Sequence, residues 1–229
     1  METITGSQEE LERKAAEKIS EKIPKIMESK EKSSVNIGIA GGRSVKGVFK
    51  ALTKQRIDWS KVHLFIVDEC LDGSNANFKV AKEGFVDELV SRGLLPEGNV
   101  HPFVFKEDKP DKGILKYSAM FQEYGTTYDI VILSSGEDGH VGSLFPYHPS
   151  INDLSPFFIH VAGSPKPPSE RMSASKNLLS QSSVGILLFF GEEKRYAYES
   201  FCDSSVDVLS CPAKILENMP EGYVYRSDV

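Results

Sequence analysis

Four short apolar runs punctuate the chain: VNIGIAG from residue 35, VHLFIVDE from 62, YDIVILSS from 128 and VGILLFFG from 184, with a weaker one in FFIHVAG from 157. Their Val, Ile, Leu and Phe positions run continuously instead of alternating, as in strands covered on both faces. Between them, polar and apolar positions follow helical spacing over roughly residues 44–56, 76–92, 110–124 and 192–202. A further helical pattern opens the chain. Residues 8–28 set Leu11, Ala15, Ile19, Ile23 and Ile26 on one face and charges on the other, which predicts an amphipathic helix bent or broken near Pro24. The alternation of strand and helix predicts an α/β fold, a doubly wound, mostly parallel Rossmann-like sheet with helices on both faces.

Length and composition narrow the picture without changing it. A chain of 229 residues fits one large domain, and no repeat, low-complexity tract or long linker divides it, so residues 1–229 are read as a single domain. FKEDKPDKG at 105–113 reads as a surface loop. With 40% hydrophobic and 26% charged residues and no run long enough to span a bilayer, a soluble globular protein is expected. The opening residues lack an apolar signal core. Cys70, Cys202 and Cys211 are too few and scattered for a disulfide framework or zinc cluster, which suits a reducing compartment, the cytoplasm. A net charge of −6 argues against a nucleic-acid surface, though not against a small anion, which needs only a local cluster of donors. No membrane partner is expected, and the oligomeric state is not legible.

In an open parallel sheet, ligands bind beyond the carboxyl ends of the strands, so the loops after each apolar run are the ones to inspect. After the first comes AGGRSVKG (40–47), where Gly41 and Gly42 free the backbone for a tight turn and Ser44 is placed to cap the following helix, an arrangement that suits an anion. It is not a nucleotide loop, since Val48 and Phe49 stand where Lys and Ser/Thr are required. The second run ends in Asp68 and Glu69, carboxylates that could orient sugar hydroxyls or take a proton, or simply cap a helix. The third leads into GEDGHVGSLFP (136–146), which places His140 near a helix start beside Glu137, Asp138 and Gly139. Such a histidine is a general base held by its carboxylate neighbours, or merely a capping group. No G-x-S-x-G elbow occurs, and His140, His148 and His160 have no metal-ligand spacing. Lys166 and Arg171 in GSPKPPSERMSAS (163–175) supply cations, and Lys194 in GEEKRYA opposes a helix dipole unless an anion lies between them.

In order and spacing, GGRSVKGVFKAL, VDE with the following SN, GEDGHVGSLFP, PKPPSERMSAS and GEEKRYA resemble the 6-phosphogluconolactonases, of the superfamily shared with glucosamine-6-phosphate deaminases. The resemblance implies the sugar-phosphate isomerase/lactonase type of α/β fold. It also implies hydrolysis of 6-phospho-D-glucono-1,5-lactone to 6-phosphogluconate in the oxidative pentose phosphate pathway, without metal or organic cofactor. By position, His140 matches the base that activates water. Gly42, Arg43, Ser44, Arg171 and Lys194 match phosphate-binding positions, and Asp68 and Asn75 fall near the sugar ring. The chain departs from the pattern at Cys70, where arginine is usual, in LSSG for LGMG, and at Gly142 for alanine. If a cation at position 70 matters, Cys70→Arg raises activity. The alternatives are a deaminase, whose DGHIAFNEP pattern carries a glutamate that DGHVGSLFP lacks, and a non-catalytic sugar-phosphate sensor.

Overall fold

The computed structural model describes residues 1–227. Within them the strands are β1 (Glu2–Gly6), β2 (Val35–Ile39), β3 (Val62–Ile66), β4 (Asp68–Cys70), β5 (Val100–His101), β6 (Ile130–Ser134), β7 (Phe158–Ala162), β8 (Glu170–Ala174), β9 (Val184–Phe189) and β10 (Glu221–Ser227). Seven form one sheet in the order β1-β10-β9-β6-β2-β3-β5, every neighbouring pair parallel.

Alternate side chains along each strand must leave on opposite faces, and they feed two apolar clusters. Leu64, Ile66, Ile130 and Ile132 join the helix Gln8–Ser29 through Leu11, Ile19 and Ile23. Phe65, Val131 and Leu133 join the helix Ile114–Tyr124 through Tyr117 and Phe121. The continuous apolar runs are therefore doubly covered strands, and the doubly wound arrangement is observed. No helix of the described residues is long and apolar enough to cross a membrane.

Several local expectations are corrected. The first helix continues through Pro24, whose ring lies on the exposed side while Ile23 and Ile26 anchor the turn to the core. The lost backbone bond falls where water can replace it. The weak run at 157 does become a strand, β7, but it lies outside the main sheet, in a second sheet of order β4-β8-β7 with antiparallel pairs. Its His160 and Ala162 are exposed, so it has only one face to hide. No helix follows His140. Residues 141–148 form turns with one bridge between Val141 and Leu144, and the next helical turn is the short Pro149–Asn152.

This second sheet matters for position. It pairs Asp68 with Ser173 and Cys70 with Arg171, and so brings the end of the second apolar run and the proline-rich loop against the carboxyl edge of the main sheet.

Candidate active site

Three adjacent strands of the main sheet, β2, β6 and β9, end at one cavity of about 500 Å³. After β2 the backbone turns at Gly41 and Gly42. A Cβ on Gly41 would stand 2.1 Å from Asn77 Oδ1, so only glycine allows that close approach, while Gly42 has a φ of +101°. Ser44 occupies the N-cap position of the helix Val45–Leu52, yet its side chain makes no capping bond. Its hydroxyl instead accepts from Lys194 Nζ at 2.7 Å, and the Ser134 hydroxyl at the end of β6 accepts from the same nitrogen at 2.9 Å.

Lys194 ends the turn Glu192–Lys194 that follows β9 and is only 7% exposed. Burial drives its pKa down to about 8, with the field of Glu193 acting against this and that of Arg43 adding to it. Its protein partners are neutral hydroxyls, so its desolvation is not offset by an ion pair. An anion entering the cavity would supply the missing charge. Arg43 is largely exposed, 3.4 Å from Glu193 and 3.9 Å from Glu137.

The loop after β6 carries His140. Its Nδ1 lies 2.5 Å from Asp138 Oδ1, and its backbone N–H donates to the same oxygen at 3.2 Å. The ring packs at 4.7 Å from the Phe145 ring and over Gly136, where a Cβ would fall 2.1 Å from Nδ1. Gly139, with a φ of +86°, lets the chain reverse against Cys211. Although burial acts to raise the Asp138 pKa, its bonds to His140, the His140 charge and Lys166 hold it well below the usual carboxylate range. Lys166 Nζ is 3.6 Å from Asp138 Oδ2. An ionised carboxylate can only accept, so Nδ1 carries the proton and Nε2 is left as the basic nitrogen.

The strand-end carboxylates divide their work. Asp68 lines the cavity, with Oδ2 accepting from the Ser143 hydroxyl at 2.8 Å, and burial raises its pKa. Glu69 faces away from this role. It accepts from the N–H groups of Cys70 (2.9 Å), Asn77 (3.0 Å) and Phe78 (2.9 Å), and so closes the start of the helix Ala76–Ala81. Arg171 Nη2 donates to Pro167 O at 2.8 Å and Nε to Pro168 O at 3.2 Å, which fixes its guanidinium on the proline loop.

Of the residues singled out in the sequence, Gly42, Arg43, Ser44 and Asp68 line the cavity, as do Glu137, His140, Lys166, Arg171 and Lys194. Asp138 and Gly139 stand behind His140 and do not line it. Neither does Asn75, whose left-handed backbone (φ +49°) starts the helix. Asn77, two positions on, lines it instead and donates to Asp68 O at 2.8 Å. Sequence reasoning missed Asn77, Ser134 and Glu193, of which Ser134 alone carried a signal, the LSSG departure.

A parallel sheet whose carboxyl edge sets a buried ammonium and serine hydroxyls in one cavity with a carboxylate-held histidine defines an α/β protein suited to a small anionic ligand. The chain belongs to the family of glucosamine-6-phosphate isomerases/6-phosphogluconolactonase, matched over residues 6–224. It is 34% identical over 188 residues to the 6-phosphogluconolactonase of Borreliella burgdorferi, covering 81% of this chain and 80% of that one. To the 6-phosphogluconolactonase of Thermotoga maritima it is 33% identical over 181 residues, 78% of each chain. The crystal structure of the Thermotoga maritima protein superposes with a TM-score of 0.75 at 25% identity, covering 99% of this chain and 100% of that one. A monomeric glucosamine-6-phosphate deaminase shares the fold with a TM-score of 0.78 at 18% identity, covering 99% and 97%.

Proposed function

We propose that this chain, as one domain, hydrolyses 6-phospho-D-glucono-1,5-lactone to 6-phospho-D-gluconate, the lactone step of the oxidative pentose phosphate pathway, in the cytoplasm. The observation that carries the reading is the Asp138–His140 contact beside a cavity that also holds the buried Lys194 ammonium. Cys70, Cys202 and Cys211 are all free, in keeping with a reducing compartment.

His140 Nε2 takes a proton from water as its oxygen adds to C1 of the lactone. The negative charge that develops on the former carbonyl oxygen is stabilised by the ammonium of Lys166, which lines the cavity. Collapse of the tetrahedral intermediate breaks the bond between C1 and the ring oxygen, and the proton on Nε2 passes to that oxygen; the acid formed then ionises. Asp138 holds the ring and stabilises the imidazolium, a base contribution of about 10²–10⁴-fold. Lys194, Ser44, Arg43 and Arg171 anchor the phosphate, with the turn at Gly42 beside them, and convert its binding into orientation of C1. Asp68 accepts from a sugar hydroxyl.

A deaminase needs a further carboxylate in the catalytic loop to move a proton between carbons. The segment Val141–Phe145 carries none, and the cavity carboxylates Asp68, Glu137 and Glu193 come from other positions. The test is formation of 6-phosphogluconate over the spontaneous background, run beside ammonia release from glucosamine 6-phosphate. Lactone hydrolysis without ammonia release is expected; the reverse overturns the proposal.

A further inference from the structure

Three adjacent strands each deliver one polar group to a single point. Ser44 follows β2, Ser134 ends β6 opposite Leu188 of β9, and Lys194 follows β9. Ser134 therefore comes from the central strand of the three. Lys194 is buried and makes no ion pair among the described residues; two of its three N–H groups go to the hydroxyls of Ser44 and Ser134. A hydroxyl that accepts from an ammonium keeps its own proton to donate. That of Ser134 has only a marginal alternative, the carbonyl of Ser135 at 3.5 Å. The third ammonium proton and two hydroxyl protons are thus left to a ligand, a donor set for oxygens of a tetrahedral anion. The position is also where LSSG departs from LGMG: a glycine there would leave Lys194 with one hydroxyl partner.

We propose that Ser134 is a phosphate-recognition residue, which fixes Lys194 Nζ jointly with Ser44 and donates its own hydroxyl to an oxygen of the substrate's phosphate. This rests on the reading of the cavity as a phosphorylated-lactone site, and it makes Ser134 a determinant of the preference for phosphorylated over unphosphorylated lactone. The lowered pKa of Lys194 agrees with an ammonium held by neutral partners. Glu193 and Glu137 act to keep it charged, and Arg43 and Lys166 act against that.

The test uses the whole chain and the variants Ser134→Ala, Ser134→Gly and Ser134→Thr, with inorganic phosphate titrated by calorimetry and with kcat/KM measured on the 6-phospholactone and on glucono-1,5-lactone. A lost hydrogen bond to a charged group predicts about a tenfold fall in phosphate affinity, and in the ratio of the two kcat/KM values, for Ala and Gly. Thr, which restores the hydroxyl, should recover most of it. The pH above which phosphate binding weakens should also move down in Ser134→Ala, since Lys194 has lost an acceptor for its charged form. Wild-type affinity in Ser134→Ala with an unmoved pH profile, Thr behaving as Ala at an unchanged melting temperature, or no phosphate binding by the native chain each overturns the proposal. If phosphate binding depends on Ser134 but no lactone is hydrolysed, the role of Ser134 stands and the lactonase reading falls. If lactone is hydrolysed with an unaltered KM in Ser134→Ala, the outcome is reversed.

Discussion

Asp138 Oδ1 lies 2.5 Å from His140 Nδ1, and this contact decides which imidazole nitrogen is basic. Because the carboxylate is held ionised and can only accept, the proton sits on Nδ1 and Nε2 keeps its lone pair. Asp138→Asn places an amide there that can donate as well as accept, so the tautomer is no longer fixed. The expected result is a kcat lowered by about 10²-fold with KM changed by no more than a few-fold, read from steady-state lactone hydrolysis. An unchanged kcat would remove Asp138 from the mechanism.

Lys194 gives the cavity a pH dependence of its own. Burial lowers its pKa to about 8, so the free protein carries the full positive charge below that pH and loses it as pH rises through 8. A bound phosphate favours the charged form, and affinity should therefore fall on the alkaline side, by at most tenfold per pH unit. Inhibition by inorganic phosphate, measured from pH 6.5 to 9.5, should weaken above about 8. The break should disappear in Lys194→Met, and a flat profile in the native chain would contradict the assignment.

Gly136 sits beneath the His140 ring. A Cβ there would lie 2.1 Å from both Nδ1 and Cε1, and the ring, held by Asp138 and Phe145, has little room to withdraw. Gly136→Ala should destabilise the protein by about 1–3 kcal/mol and displace the base. A lowered melting temperature together with a loss of kcat is expected. Full activity would mean that the ring is free to move.

Cys70 looked in the sequence like a missing cation whose restoration would raise activity. The structure places it 7% exposed, opposite Arg171 in the antiparallel ladder, its thiol pushed up to about 11 by burial. Cys70→Arg would bury a second guanidinium across from the first, and like charges so placed repel. The variant should melt several degrees lower and show no gain in kcat/KM; a clear gain would show that the site does lack that cation.

The doubly wound sheet was legible because its strands hide both faces, and that leaves an uninterrupted apolar run in the sequence. The edge strand β1, with Glu2, Thr3 and Thr5, and its neighbour β10, with Glu221 and Arg226, leave no such run in the sequence. His140 stood out because its glycines serve the site itself: Gly136 lies under the ring and Gly139 reverses the chain. What the sequence concealed is tertiary. Ser44 has the pattern of a helix cap, and only the adjacency of β2, β6 and β9 shows that its hydroxyl serves Lys194. Glu69 and Asp68 are neighbours in a strand and so point to opposite sides, one to a helix start and the other to the cavity. The left-handed turn at Asn75 sends Asn77 to the cavity in its place.

The most direct test compares the native chain with His140→Asn on 6-phospho-D-glucono-1,5-lactone near neutral pH, with spontaneous hydrolysis subtracted and the fold checked by melting temperature. The native chain should accelerate hydrolysis well above background. The variant should retain the fold and phosphate binding but lose at least about 10²-fold in kcat. Activity within a few-fold of native would contradict the role of His140, and no acceleration by the native chain would contradict the proposed reaction.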